Sequence, residues 1–345
     1  MSPSSKGLFD EEFRIEKIDQ KDPLKALSTQ INWEQFVPTL DQAFAHIDYS
    51  QGGRPPFDRL LMFKVLVLQE YYGLSDDQME YQLLDRLSFQ RFIGQGLQDR
   101  VPDAKTIWLF RQSLTQKGVL DALFVQLGTR LQRIGLVARK GKMVDASFVK
   151  VPVQRNSEEE NKQIKNGEPP QDWSDQKRSQ KDTDADWTRK GNESHYGYKQ
   201  HIKADVQHKI ITNFEVTPAS EHDSQVVDEL LEPRKEKGEP LYADSAYYSA
   251  QRIEQLKKKG YKPCILEKGY RNKSLSESQQ ERNKKLSSKR CRVEHIFAWI
   301  QQHMGKLVRG VGIARITARV TLRIICYNLF RATYLLRKKK IAVLV

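Results

Sequence analysis

The chain has 345 residues and a mass of 40.1 kDa, enough for one large or two ordinary domains with cores of their own. Its formal net charge of +14 and its pI of about 9.5 favour an anionic partner such as nucleic acid. The longest apolar runs contain Lys64 and Arg331 and are shorter than the roughly 20 uninterrupted residues of a membrane span, so a membrane-spanning helix is excluded.

The N-terminal part of the chain is predicted to be helical. Residues 1–27 are polar and are expected to form a flexible arm, whereas apolar side chains recur at helical spacing through residues 28–137. Ser75 with Gln78 forms a candidate capping box. The helix rhythm of residues 75–116 is typical of a helix-turn-helix, which makes Lys105 and Arg111 candidate DNA contacts. Trp108 in the same segment is assigned to the core.

Residues 138–336 are predicted to form an α/β domain. Strand patterns alternate with helices, and residues 195–216 read as an antiparallel hairpin. Residues 151–190 contain few large apolar side chains and are expected to form an inserted polar loop. Trp187 at the end of this loop is expected to dock on the sheet, and a contact with DNA is the alternative. Residues 337–345 form a basic tail. The predicted fold class is α/β: an RNase-H-like mixed sheet flanked by helices, with an all-helical N-terminal domain.

Basic residues are concentrated at the C-terminal end. Residues 251–345 contain 24 Lys and Arg against 5 Asp and Glu, whereas residues 1–250 contain 34 against 39. This segregation favours a surface for a polyanion, although a charged face that only maintains solubility is the alternative. Three isolated cysteines without a C-x-x-C pair, and an N-terminus without an apolar leader, predict a cytoplasmic protein.

Three acidic residues are the candidate catalytic and metal-binding groups. Asp145 lies in a predicted strand, Asp244 ends the strand that begins at Leu241, and Glu294 is near the start of a helix. Carboxylates in these positions can converge at one end of a sheet and hold two divalent cations. Oxygen ligands without a Cys or His cluster suit Mg²⁺, and Mn²⁺ should substitute. The alternative is that the three acids are a strand-end residue, a helix cap and an ion-paired helix residue.

Four motifs occur in a fixed order along the chain. They are His195-Tyr-Gly-Tyr-Lys-Gln-His201, Thr217-Pro-Ala-Ser-Glu-His-Asp-Ser224, Tyr242-Ala-Asp-Ser-Ala-Tyr247 and Arg292-Val-Glu-His-Ile-Phe297. Together they resemble the catalytic domain of IS5-type (IS4/IS5-like) bacterial insertion-sequence transposases of the DDE class. The resemblance covers roughly residues 30–335. It departs from the frame Tyr-x2-Arg-x3-Glu-x6-Lys of related families, because Arg290 matches the Arg but Ser287 and Gln301 replace the Tyr and the Lys.

The resemblance implies a transposase located in the bacterial cytoplasm at the nucleoid. It would bind terminal inverted repeats, hydrolyse a phosphodiester with Mg²⁺ and join the freed 3′-hydroxyl to target DNA. Its partners would be double-stranded DNA and at least one second copy of the chain, because joining two ends requires two active sites. A non-catalytic DNA-binding protein derived from a transposase and a nuclease of the same fold are the alternatives.

Further basic residues are candidate DNA contacts. Lys199, His201 and Lys203 share one face of the hairpin, and the family motif implies that Lys199 or His201 lies near the scissile phosphate; solvated strand residues are the alternative. Arg290 and Arg292 flank Glu294, and Arg290 is expected either to hold a DNA phosphate or to form an ion pair with Glu294. A basic helix stripe of Arg315, Arg319 and Arg323 is predicted to bind the phosphates of transposon ends.

Overall fold

A computed structural model describes residues 17, 22–45, 55–96, 98–168, 170–269 and 274–339. The first part of the described chain is helical. Its α-helices are α1 (Pro23–Gln30), α2 (Val37–Ala43), α3 (Arg59–Tyr72), α4 (Asp76–Asp85), α5 (Leu87–Ile93), α6 (Ala104–Gln116) and α7 (Val119–Arg133). The bounds of these helices confirm the predicted helical character of this region.

Helix α3 is the centre of this region because most of its side chains are buried. The Asp58 carboxylate caps its start by accepting from the Leu61 N–H, and Gly73 ends it in the left-handed conformation. The Ser75–Gln78 capping box is present at the start of α4, as predicted. Trp108 was assigned to the core, but its side chain is 44% exposed on α6.

The expected arm of residues 1–27 is partly wrong. Residues 23–27 belong to α1, where Leu24 and Leu27 are buried in the core. Pro23 occupies the first helical position, and the Asp22 carboxylate accepts from the Leu24 N–H. The sequence pattern missed this helix because it has only eight residues. Apart from Lys17 and Asp22, the rest of the arm lies outside the described residues.

Six strands of the described chain form one mixed sheet. They are β1 (Lys142–Lys150), β2 (Asp186–Lys190), β3 (Glu193–Asp205), β4 (Ile211–Pro218), β5 (Pro240–Ala243) and β6 (Lys262–Ile265). The order is β2-β3-β1-β5-β6, and β4 also pairs with β3. Strand β3 pairs antiparallel with β1, β2 and β4, whereas the β1–β5 and β5–β6 pairs are parallel.

Helices flank this sheet. They are α8 (Glu158–Lys165), α9 (Asp175–Gln180), α10 (Asp223–Leu230), α11 (Pro233–Glu236), α12 (Ala250–Lys258), α13 (Glu277–Arg290), α14 (Glu294–Met304) and α15 (Ile313–Lys339). A mixed sheet between helices, preceded by a helical region, confirms the predicted fold class. Helix α15 packs on α3, on α7 and on β4, so one apolar core joins the helical region to the sheet.

Residues 151–190 are not simply a loop, because they contain α8, α9 and β2. Trp173 is buried and donates from its ring N–H to Glu160, 2.8 Å away. The Asp182 carboxylate accepts from the Tyr198 hydroxyl at 2.6 Å and from the Ala185 N–H at 3.0 Å. Polar anchors and backbone pairing hold this segment, and neither produces an apolar period in the sequence. Trp187 is 51% exposed, although its ring lies 5.1 Å from that of Tyr196.

Gly197 of β3 lies where β3 pairs with β1 on one side and with β2 on the other. It pairs with Lys150 of β1 and Asp186 of β2, and its φ is 129°. A Cβ atom at this position would lie 2.5 Å from the carbonyl oxygen of Val149. The glycine of the His195–His201 motif is therefore required by close backbone approach.

Candidate active site

The first two candidate acids lie at the same edge of the sheet. Strands β1 and β5 are parallel, with Lys142 opposite Leu241 and Met143 opposite Tyr242, so both strands run towards the same edge of the sheet. Asp145 follows on β1, where its carboxylate accepts from the Ala146 N–H at 2.9 Å. Asp244 directly follows β5 and accepts from the Ser245 N–H at 2.7 Å, at the start of a short 3₁₀ helix.

Arg290 links Asp145 to the third acid. It ends α13, and a 3₁₀ turn carries the chain to Glu294, the first residue of α14. The Arg290 guanidinium lies 3.3 Å from the Asp145 carboxylate and also donates to the Glu294 carboxylate. The structure therefore contains the Arg290–Glu294 ion pair, one of the two roles expected for Arg290, and it adds a contact to Asp145 that sequence spacing did not indicate.

The electrostatic environments of these acids differ. The pKa of Asp145 is raised to about 6, chiefly by burial and also by repulsion from Asp244, while the Ala146 N–H and Arg290 oppose the shift. The Asp145 side chain is 18% exposed, whereas that of Glu294 is 58% exposed. Asp145 is thus a desolvated carboxylate whose ionised form a nearby positive charge would stabilise, and Glu294 lies at the solvent side of the site.

These residues suit a divalent cation by their chemistry. All three supply carboxylate oxygens, which hard cations prefer, and the repulsion between Asp145 and Asp244 would be relieved by a positive ion. In the ranges that the structure describes, no group of three or more His, Cys, Asp or Glu side chains is arranged to hold a metal as it stands. Arg290 now supplies the positive charge between Asp145 and Glu294, and a cation would replace that contact.

The hairpin residues that were expected near the scissile phosphate lie on the other face of the sheet. Directly paired residues of adjacent strands share a face. Ala146 pairs with His201 and Phe148 with Lys199, whereas Asp145 pairs with Ile202. Since side chains alternate along β1, Lys199 and His201 face away from the Asp145 carboxylate.

Two of these hairpin residues are also buried, so the expected DNA contact is wrong for them. Lys203 is fully buried and lies 2.9 Å from Glu232 and 2.8 Å from Glu236. His201 is 1% exposed, lies 2.9 Å from the Thr217 hydroxyl, and burial lowers its pKa to about 4. A cation or imidazole of this kind supports the fold and cannot reach a phosphate.

Lys199 is paired rather than free. Its ammonium lies 2.9 Å from the Asp223 carboxylate and donates to the Glu221 carbonyl at 2.6 Å. Lys199 also lies 5.7 Å from the centre of the Phe148 ring, which stacks on His195. Lys199, Phe148 and Asp223 line a small cavity beside β1.

The predicted basic stripe on α15 is mostly buried. Arg319 and Arg323 both pair with the buried Glu70 of α3, at 2.8 and 3.2 Å. Arg315 alone of the three is exposed, and it donates to Gln112 at 3.1 Å. The prediction of phosphate binding is therefore wrong for Arg319 and Arg323, because four-residue spacing does not tell which side of a helix meets a buried acid.

The remaining candidate DNA contacts differ in their accessibility. Arg292 donates to the Val206 carbonyl at 2.9 Å. Arg111 pairs with Asp76 at 2.8 Å and is half-buried between α3 and α4. Lys105 is exposed near the start of α6 and stays a candidate contact.

The chain matches two transposase families. Residues 139–329 match the family described as Transposase DDE domain, and residues 12–113 match one described as Transposase domain (DUF772). The first match covers more than half of the chain, so the chain belongs to the DDE transposase family. It is thus a transposase, an enzyme of polynucleotidyl-transferase type from a family that generally uses a divalent metal.

One solved structure similar to this chain is a piggyBac transposase synaptic complex with hairpin DNA, determined by cryo-EM. The two are 12% identical, the match covers 92% of this chain and 76% of the other, and the TM-score is 0.48. Among the residues described for the present chain, no helix is both long and apolar enough to cross a membrane.

Proposed function

We propose that this chain is the transposase of an IS5-type bacterial insertion sequence, acting on DNA at the nucleoid. It binds the terminal inverted repeats, hydrolyses a phosphodiester to free a 3′-hydroxyl, and joins that hydroxyl to target DNA. The observation that carries this proposal is the contact of one guanidinium, that of Arg290, with both Asp145 and Glu294, at the sheet edge where Asp244 follows β5.

Asp145, Asp244 and Glu294 would hold Mg²⁺, for which Mn²⁺ should substitute. Bound there, divalent cations would supply activation of the attacking oxygen and stabilisation of the leaving oxygen in an in-line displacement at phosphorus. Asp145 is fixed by β1 and by the Ala146 N–H, so its carboxylate is pre-oriented. Glu294 is exposed at the start of a helix and can turn away from Arg290, which then becomes available to a DNA phosphate.

The chain would work as at least a homodimer on paired DNA ends, because two ends joined to one target require two active sites in a fixed relation. Helix α3 is apolar enough to be considered as an interface, although packing within its own domain is the expected use of most of its face. Its apolar face is used within the chain, as its buried residues from Leu60 to Leu68 pack in the common core. The proposal therefore assigns pairing to another surface, and light scattering of the protein–end complex measures the number of chains.

A strand-transfer assay tests the proposed function. The full chain is incubated with duplexes of the inverted repeats that flank its gene, a supercoiled target plasmid, and Mg²⁺ or Mn²⁺. Repeat ends covalently joined to the plasmid support the transposase. Cut ends that are never joined would instead identify a nuclease, and bound but uncut ends would identify a non-catalytic DNA-binding protein.

A further inference from the structure

A cleft with an excess of positive charge lies where the helical region meets the segment between α14 and α15. Its volume is about 380 Å³. It is bounded by the start of α4, one side of α6, the segment from Met304 to Gly310 and the first turns of α15. The cationic side chains that line it are Arg111, Lys306, Arg309, Arg315, Arg319 and Arg323.

Two carboxylates neutralise only part of this charge. Asp76 receives two hydrogen bonds from Arg111, both 2.8 Å long, and Glu70 pairs with Arg319 and Arg323. The other three cations, Lys306, Arg309 and Arg315, are exposed and form no ion pair within the described residues. The exposed ring of Trp108 lies on the wall of α6 beside them.

Buried contacts hold the cleft in shape. The Arg323 guanidinium donates to the carbonyls of Met304, Gly305 and Leu307 at 2.9, 3.2 and 3.1 Å. It is fixed in turn by Glu70, which is 1% exposed. The segment that carries Lys306 and Arg309 is therefore pre-organised, which reduces the entropy lost when a ligand binds.

The cleft has a fixed separation from the catalytic acids. The Val308 N–H donates to the Lys150 carbonyl at 2.8 Å, so the cleft begins where β1 ends. Lys150 is five residues beyond Asp145, which is about 17 Å along a strand. Helix α14 joins Glu294 to Met304 and spans a similar length, about 15 Å.

We propose that this cleft binds backbone phosphates of the transposon-end duplex, about five base pairs from the cleaved bond at a rise of 3.4 Å per pair. Lys306, Arg309 and Arg315 make the phosphate contacts, while Arg319, Arg323 and Glu70 support the wall behind them. The inference rests on the proposed function, because it assumes that DNA is the polyanion. It adds the position at which the duplex is held and the residues that set the cleavage register.

The test compares two triple variants of the full chain. The cleft variant carries Lys306→Gln, Arg309→Gln and Arg315→Gln, and the control carries Lys257→Gln, Lys258→Gln and Lys262→Gln, exposed positions on α12 and at the start of β6. Anisotropy titrations with inverted-repeat duplexes over a range of salt give the slope of log affinity against log salt. We expect the cleft variant to flatten that slope by about 2.7, at 0.9 per lost phosphate contact, relative to the wild type and the control.

Phosphate position is tested with duplexes that carry one neutral methylphosphonate, moved along the strand. The wild type should lose affinity when the neutral linkage is about five base pairs from the cleaved bond. The cleft variant, which already lacks the contact, should bind that duplex as well as it binds the unmodified one. A slope equal to that of the control, or penalties that simply add at every position, would overturn the cleft proposal.

The two proposals fail in different ways. If the wild type cuts and joins normally but the effect of the neutral linkage does not depend on the cleft residues, only the cleft proposal is contradicted. If that dependence is found in a wild type that never cuts, only the proposed catalysis is contradicted. A wild type that binds no DNA at all overturns both. Equal thermal melting of the two triple variants confirms that the comparison concerns folded protein.

Discussion

Arg290 lies 3.3 Å from the carboxylate of Asp145, a residue 145 positions earlier in the chain. Its guanidinium also contacts Glu294, so one side chain neutralises two of the three candidate metal ligands. A divalent cation at these carboxylates would therefore compete with the arginine.

Replacing Arg290 with Gln should increase the response to metal, because the cation no longer has to displace a guanidinium. We expect Mn²⁺ to raise the melting temperature of Arg290→Gln more than that of the wild type, both measured against EDTA. Arg292→Gln is the matched control, because Arg292 donates to a backbone carbonyl and pairs with no acid among the residues that the structure describes. Equal Mn²⁺-induced shifts in all three proteins would show that Arg290 does not compete for these ligands.

Replacing Arg323 with Gln should lower the free energy of unfolding. The change leaves the Glu70 carboxylate short of a partner at 1% exposure, and breaking a buried ion pair costs about 3–5 kcal/mol. The free energy of unfolding in urea measures this loss, and Arg315→Gln is the surface control, expected within about 0.5 kcal/mol of the wild type. Unchanged unfolding with weakened DNA binding would return Arg323 to the DNA interface.

His201 should make the fold sensitive to acid. Burial lowers its pKa from 6.5 to about 4, so the unfolded chain takes up the proton first as the pH falls. Stability from the neutral imidazole is complete above pH 6.5 and is lost progressively down to about pH 4. His201→Gln should reduce the loss of unfolding free energy over this window by about 3 kcal/mol. His295→Gln, at an exposed position, should leave it unchanged; an identical pH profile for His201→Gln would contradict the burial argument.

Gly197→Ala should destabilise the junction of β1, β2 and β3. The new methyl would lie 2.5 Å from the Val149 carbonyl oxygen, so a strand must shift. Gly191→Ala is a control for left-handed backbone alone, because Gly191 has a φ of 62° and, in the described part of the chain, a new Cβ would have no atom within 4 Å beyond its sequence neighbours. We expect about 1 kcal/mol of loss at Gly191 and more at Gly197 in urea unfolding. Equal losses of unfolding free energy in the two variants would mean that β1 shifts to accommodate the methyl group without a measurable cost.

Local patterns were sufficient to predict most of the elements. Apolar periodicity, the Ser75–Gln78 capping box and the alternation in the hairpin are properties of adjacent residues, and the structure contains all three. The short helix α1 and the polar insert were missed because their anchors are few, such as Leu24 in the core and Asp182 under Tyr198.

The site could be predicted only in part. The position of Asp244 follows from the end of β5, which the sequence marks, whereas Asp145 lies within β1 and comes level with Asp244 only through the register of β1 and β5. The sequence could not show which basic residues are buried in ion pairs, because Lys203 and Arg323 are neutralised by acids remote in sequence. Glu70 is 253 residues from Arg323. Nor could the sequence place Asp145 on the face opposite to His201, because that depends on the register between β1 and β3.

Single-turnover cleavage of an inverted-repeat end tests the central claim most directly. The variants Asp145→Asn, Asp244→Asn and Glu294→Gln are compared with Glu254→Gln, an exposed acid on α12 that pairs with Lys258. At DNA concentrations that saturate binding, each of the three site variants should cut at least on the order of 10³-fold more slowly than the wild type, because several kcal/mol of charge stabilisation is lost. Glu254→Gln should cut normally. Near-normal cleavage by any of the three site variants, with DNA binding unchanged, would contradict the assignment of that acid to the catalytic site.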